Sequence, residues 1–232
     1  MAEYSTIFLG SEEIASETLQ FEFEKPQGFV FKPGQFVHLG LPDLFDTDSE
    51  GNSRSFSIAS APHESHLLFA MRMRDSAFKN HLKSAVVGTS AVISGPLGNF
   101  IFPDKTDRLI VFLVGGIGIT PVRGMIVHAS QTKSPQKIIV FYSNRTGADM
   151  PYVHELVSLN NQNIQIIPTM TNDASWIGEQ GYIDLNMISR HLTDINEPIY
   201  YLSGSPEFVL AMDKLLRDAG VKDIIVAEFF GY

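Results

Sequence analysis

The sequence predicts two domains: an N-terminal antiparallel β-barrel, six-stranded and Greek-key-like, over residues 1–104, and a parallel-sheet α/β domain over residues 105–232. Three observations predict this. Short apolar runs separated by Gly- and Pro-containing turns fill the first hundred residues, as in a small barrel. After the polar stretch 103–107 (PDKTD), strands alternate with helices, which implies right-handed crossovers and a parallel sheet. Between these two halves, residues 109–121 (LIVFLVGGIGITP) carry six apolar residues straight into a glycine turn. That is the pattern of a strand buried on both faces.

In the first half, Leu19, Phe21 and Phe23 alternate with polar residues and predict a half-buried strand. Phe29, Phe31 and Phe36 flank the Pro33–Gly34 turn, and residues 35–39 form the next strand. Residues 42–53 are acidic and polar and read as a loop. Further strands are expected at 54–60, 67–74 and 91–94, with a turn at Gly95-Pro96-Leu97-Gly98. One helix is expected near 77–86, capped by Ser76 or Asp75. In the second half the strands are 109–114, 138–142, 164–168, 199–202 and 224–228. Helices are expected at 121–130, near 149–158, near 184–191 and at 206–219. Thr120 is expected to cap the first of these, with Pro121 in its first turn.

Composition removes several function classes. The net charge of −9 with no basic run argues against nucleic acid and anionic membranes, and a basic partner fits better. The chain has no cysteine, so disulfides, thiolate metal sites, cysteine nucleophiles and Cys-ligated iron–sulfur clusters are excluded. The seven histidines show no metal-ligand spacing, and the acidic loop with Asp43, Asp46 and Asp48 lacks the EF-hand pattern; no metal is expected. There is no Gly-x-Ser-x-Gly for a serine hydrolase. No signal peptide and no apolar run of ~20 residues is present, so a cytoplasmic protein is expected.

Two stretches carry chemistry. Gly115, Gly116 and Gly118 form a strand–turn–helix junction, and a helix N-terminus with free N–H groups suits a phosphate; the turn is otherwise a tight connection that binds nothing. Pro121 stands where the Rossmann fingerprint needs a third glycine, so this is a different nucleotide turn. In Arg54-Ser55-Phe56-Ser57, strand alternation puts Arg54 and Phe56 on one face, Ser55 and Ser57 on the other. The guanidinium suits a phosphate, the aromatic a flat ring, and the hydroxyl a ring nitrogen.

Together these stretches resemble the ferredoxin–NADP reductase-like family. GGIGITP is similar to its pyridine-nucleotide turn and RSFSIAS to its R-x-Y/F-S flavin signature. SGPLGNF (94–100), YLSGSPEF (201–208) and the terminal AEFFGY are similar to its remaining landmarks, so the resemblance spans the chain. It implies a stand-alone flavin-dependent NAD(P)H oxidoreductase without an iron–sulfur domain, with FAD in the first domain and NADH or NADPH in the second. Arg54 would bind a flavin phosphate, Ser55 would sit beside it, Phe56 would lie against the isoalloxazine and Ser57 near its N5. The Met71-Arg72 backbone would line the pyrimidine edge. Ser76, Ala77, Phe78 and Lys79 would face the pyrophosphate, although RDSAFKNHL lacks the family's glycine before Ser76. Gly115, Gly116, Gly118, Thr120, Pro121 and Gly204 would hold the nicotinamide half, with Arg145 toward the adenine ribose. Ser203 stands where the family often has cysteine. Glu228 would lie near the reacting centre, and Phe229 or Tyr232 would cover the flavin. Electrons would pass to a separate ferredoxin, flavodoxin or oxygenase component. Alternatives are a reductase of free flavin and a non-catalytic nucleotide-sensing module.

Overall fold

The computed structural model describes residues 2–44, 49 and 51–227. Six strands make the first sheet: β1 (Glu3–Ala15), β2 (Thr18–Glu24), β3 (Phe36–Gly40), β4 (Ser53–Ser57), β5 (His66–Arg72) and β6 (Ser90–Leu97). Their order is β4-β3-β6-β1-β2-β5, with antiparallel pairings throughout. The two outer strands curl toward one another: beyond β4, Ala59 N–H donates to Leu68 O in β5 at 2.8 Å. The interior is an aromatic cluster of Phe8, Phe21, Phe23, Phe56, Phe69 and Phe78. Helix α1 (Ala77–Ser84) plugs it with Phe78 and Leu82, four residues apart on one face. Ser76 caps the helix as expected. Two expectations fail here. β1 is a strand where the sequence shows no clear alternation, and residues 95–97 belong to β6 rather than to a turn.

The second sheet is parallel. Its elements are β7 (Ile110–Gly115), α2 (Ile119–Gln131), β8 (Ile138–Asn144), α3 (Val153–Ser158), β9 (Ile164–Met170), β10 (Glu179–Gln180), α4 (Leu185–His191), β11 (Ile199–Ser203), α5 (Pro206–Asp218) and β12 (Ile224–Val226). The order is β10-β9-β8-β7-β11-β12. Central β7 is fully buried from Ile110 to Val114, as its unbroken apolar run predicts. The strand C-termini form one edge, where ligands of such sheets bind.

Apolar and polar contacts join the two sheets. Tyr201 in β11 packs edge-on against Phe100 and donates its hydroxyl hydrogen to Ile101 O at 3.0 Å, and burial pushes its pKa up to about 12. His63, on the barrel loop, stacks on His128 of α2 at 6.0 Å. Burial, then the charge of His63, lowers the His128 pKa, while Asp104 opposes the shift; His128 Nδ1 is buried without a partner. The unfolded chain therefore takes up this proton first as pH falls below about 6.5, and stability drops through that range down to the folded pKa. A His128→Gln variant is expected to lose less melting temperature than the parent between pH 7.5 and 5.5, measured by thermal denaturation.

Candidate functional site

The glycine turn sits at the C-terminal edge of β7. Gly116 has φ +52° with open space where a Cβ would be, so its backbone is exposed to a ligand. Gly118 is confined instead: a Cβ there would lie 2.5 Å from Gly204 N and 2.6 Å from the Ser203 carbonyl. Residues 116–118 wind as a 3-10 turn that leads into α2, so the helix begins at Ile119. Thr120 is thus not the cap. It lies inside the first turn, buried, and donates its hydroxyl hydrogen to Ile117 O at 2.8 Å; Pro121 is buried too. Ser203 is 3% exposed and donates to Gly118 O at 2.8 Å, which ties the turns after β7 and β11 together. Phe208, in the first turn of α5, fills the space beside Gly115 and Gly204.

The barrel meets this turn through β5, which lies against residues 116–118. Leu68 turns its N–H and C=O outward, to Ser60 Oγ and Ala59 N. The antiparallel alternation then turns the Ala70 N–H and C=O and the Arg72 N–H the same way, while Met71 pairs inward with Leu19. The outward edge therefore belongs to Ala70 and Arg72, not Met71, whose side chain is 3% exposed in the barrel core. Ala70 is 6% exposed, so this donor–acceptor pair is buried on the strand edge turned away from β2. Across the gap, Arg72 lies close enough to oppose the rise that burial imposes on the pKa of Tyr142, near the end of β8. Two residues on, the Asn144 carboxamide is 6% exposed beside the Tyr142 hydroxyl, an approach that also opposes the rise in the Tyr142 pKa, yet neither amide atom is in a hydrogen bond of good geometry. A buried amide without a well-aligned hydrogen bond is costly unless a ligand supplies one.

On β4, Arg54 donates to Gly51 O and Ser53 O, both at 2.9 Å, and its guanidinium lies 5.2 Å from the Phe78 ring centre. Ser55 Oγ pairs with His38 Nδ1 at 2.8 Å. Ser57 is half-buried at the end of β4, in register with Phe36. Phe56 does share a face with Arg54, but that face looks inward. The ring is 2% exposed against Phe69 and Phe78, so the expectation that it lies against a bound ring is corrected. Phe78 is fully buried and cannot face a pyrophosphate, because the helix turns it into the core. Ser76 Oγ accepts from Lys79 N at 3.3 Å, Ala77 opens the helix, and Lys79 Nζ donates to Arg72 O at 2.8 Å. Arg145 is exposed just beyond β8. Glu228, Phe229 and Tyr232 lie outside the described residues.

Two contributors carry no signature in the sequence. Asn144 is one, and Arg123 of α2, 5% exposed between Glu64 and Glu155, is the other. Among the described residues, no group of three or more His, Asp or Glu side chains is placed to hold a metal, and no helix is long and apolar enough to cross a membrane.

The surroundings thus offer an open glycine turn, with β5 and β8 both packed close to it, a buried amide near the end of β8 and a strand edge with outward donors and an acceptor. That set suits flat heterocycles carrying phosphates. Residues 112–214 match the family model of the oxidoreductase NAD-binding domain. The chain is 28% identical to the glycine betaine monooxygenase reductase subunit of Chromohalobacter salexigens, over 88% of this chain and 56% of that protein. It is 30% identical to an NADPH oxidoreductase of Mycobacterium tuberculosis, over 87% and 53%. The chain therefore spans about half the length of these curated relatives. Its fold superposes with a TM-score of 0.82 on a ferredoxin NADP+ reductase from Neisseria gonorrhoeae crystallised with FAD and NADP, at 19% identity over 97% of both chains. The chain thus has the two-domain fold of the ferredoxin–NADP reductase-like proteins, carries the oxidoreductase NAD-binding domain over residues 112–214 and is similar in sequence to reductase subunits.

Proposed function

We propose that this protein is an FAD-dependent NAD(P)H oxidoreductase that passes electrons to a separate acceptor. The observation that supports the reading is the packing of β5, with its outward Ala70–Arg72 edge, and of β8, which ends in Asn144, close to the open 116–118 turn. Bound there, FAD supplies a ring that takes hydride from NAD(P)H and can give electrons up singly. The chain's own part is to bind, orient and exclude water. Arg54 anchors a flavin phosphate. The Ala70 N–H and C=O and the Arg72 N–H hold the pyrimidine edge, and Ser57 bonds near N5. The glycine turn and Asn144 hold the pyridine nucleotide, and exposed Arg145 is the group available to a 2′-phosphate. Ser203 acts as a positioning residue, since its hydroxyl already serves Gly118 O. The relatives named as reductase subunits of a monooxygenase favour a ferredoxin, flavodoxin or oxygenase component as acceptor.

A second reading, reduction and release of free flavin, draws on Phe56 and Phe78. Both rings are engaged in the barrel, which leaves the flavin two fewer aromatic contacts. Gel filtration of FAD-loaded protein separates the two: retained yellow colour supports the bound-cofactor reading, and colour lost to the low-molecular-weight fractions supports the free-flavin reading. Turnover of NADH or NADPH with an artificial acceptor excludes a purely nucleotide-sensing module, and its absence would overturn both enzymatic readings. Asn144 offers a sharper check. Asn144→Leu removes a buried amide without a well-aligned hydrogen bond, so the unliganded protein should melt within about 2 °C of the parent, while NAD(P)H binding weakens about ten-fold, the worth of one hydrogen bond of ~1.4 kcal/mol. Isothermal titration and thermal denaturation measure the two effects.

A further inference from the structure

Arg123 is buried to 5% exposure, yet every N–H of its guanidinium has a partner. Nε donates to Glu155 Oε2 at 2.8 Å and Nη2 to Glu155 Oε1 at 2.6 Å. Nη1 donates to Glu64 Oε2 at 2.9 Å and to Ala59 O at 2.9 Å, and Nη2 also to Glu64 Oε1 at 3.1 Å. Its flat face lies 5.2 Å from the Tyr152 ring centre. Burial alone would lower its pKa, but the two carboxylates outweigh that and hold it above the ordinary value, so the group is a permanent cation. The partners belong to separate layers. Ala59 and Glu64 lie on the barrel segment that follows Ser57, and Glu155 is on α3 of the parallel-sheet domain. Arg123 itself stands one turn beyond Thr120, on the helix that the glycine turn opens.

The next residue closes the same contact. Gly124 brings α2 so near the barrel that a Cβ would lie 2.9 Å from Ser60 O and 3.3 Å from the Ala59 and Ile58 carbonyls. Glu64 is itself held, its Oε2 accepting from Ala61 N at 2.5 Å and its carbonyl from Lys25 Nζ at 3.5 Å. Two rigid pieces thus meet at Arg123–Gly124: the chain leaving β4, which carries the flavin-side residues, and the helix leaving the nicotinamide-side turn.

We propose that Arg123, seated by Gly124, is a positioning residue that sets the spacing between the barrel edge and the glycine turn, and so the distance over which hydride passes. Arginine is suited to this because its fixed fork meets two carboxylates at once, which a lysine ammonium cannot match. The inference rests on the oxidoreductase reading only for its consequence; the spacing itself is tested without any cofactor.

The chain lacks cysteine, so Val30→Cys on the barrel side and Leu210→Cys on α5, both well exposed, give two unique spin-label sites. Pulsed electron spin resonance on the labelled parent should give one narrow distance. Arg123→Met and Gly124→Ala should each broaden or shift it, and Arg123→Lys should fall between. In FAD-loaded protein, the same variants should slow flavin reduction at saturating NAD(P)H ten-fold or more, while half-saturation moves less than three-fold. Unchanged distances in both Arg123→Met and Gly124→Ala overturn the proposal, as does a shifted distance with an unchanged rate. If Arg123→Met fails to fold by circular dichroism, Gly124→Ala decides. A parent that takes no electrons from NAD(P)H overturns the oxidoreductase reading instead, and the distance distributions still decide whether Arg123 sets the spacing.

Discussion

Gly118→Ala should cost about 2–3 kcal/mol of stability and remove measurable NAD(P)H binding. The added methyl has nowhere to go: its nearest neighbours are the Gly204 nitrogen at 2.5 Å and the Ser203 carbonyl at 2.6 Å, which are main-chain atoms rather than the end of a flexible side chain. Overpacking against backbone moves whole segments, at the upper end of the usual 1–3 kcal/mol for such substitutions. The displaced segments are the turns after β7 and β11, and their separation also breaks the 2.8 Å bond from Ser203 to Gly118 O. Gly116→Ala is the matched control. Its Cβ would meet nothing within 4 Å, so only the strain of φ +52° is added, and stability should fall by ~1 kcal/mol. Urea unfolding gives the stability change for each, and titration with NADH or NADPH gives the binding. Equal losses for the two would refute the close-approach account of Gly118.

Arg54→Ala is the second large effect, and it falls on flavin rather than on stability. In the structure the guanidinium donates to two carbonyls of its own loop and lies over the buried Phe78 ring, so its loss should lower the melting temperature by far less than it weakens flavin binding. A charge-assisted bond to phosphate is worth about 1.5–3 kcal/mol, so FAD affinity should fall roughly 10- to 150-fold. Arg54→Lys should recover part of this, because the charge stays while the planar fork goes. Fluorescence titration of FAD distinguishes the variants. An affinity that is unchanged in Arg54→Ala would remove Arg54 from the site.

What the sequence disclosed follows from the periods it carries. Period-2 alternation located β2, and an unbroken apolar run located β7. The same period assigns Arg54 and Phe56 to one face but does not say which face looks inward, and the resemblance that puts Phe56 against a flavin ring does not show the burial of that side chain in the barrel. β1 escaped because only Thr6 and Phe8 of its thirteen residues are buried and its register shifts near Gly10, so little alternation survives. Thr120 was read as a cap because the 3-10 winding of three residues containing two glycines has no residue signature of its own. Arg123 reads as one cation in an apolar helix; its partners lie 59 residues before it and 32 after it, a pairing that only tertiary structure creates. Asn144 likewise stands out only once its burial and its lack of a well-aligned hydrogen bond are known.

The central claim is that the β5 edge and the 116–118 turn face each other closely enough to hold two planar rings in contact. Anaerobic stopped-flow mixing of FAD-loaded protein with NADH and with NADPH tests it most directly. The account predicts bleaching of the flavin absorbance at a rate that saturates with nucleotide, preceded by a transient long-wavelength absorbance from the stacked rings. Flavin that stays oxidised with both nucleotides, in protein shown to bind each of them, would contradict it.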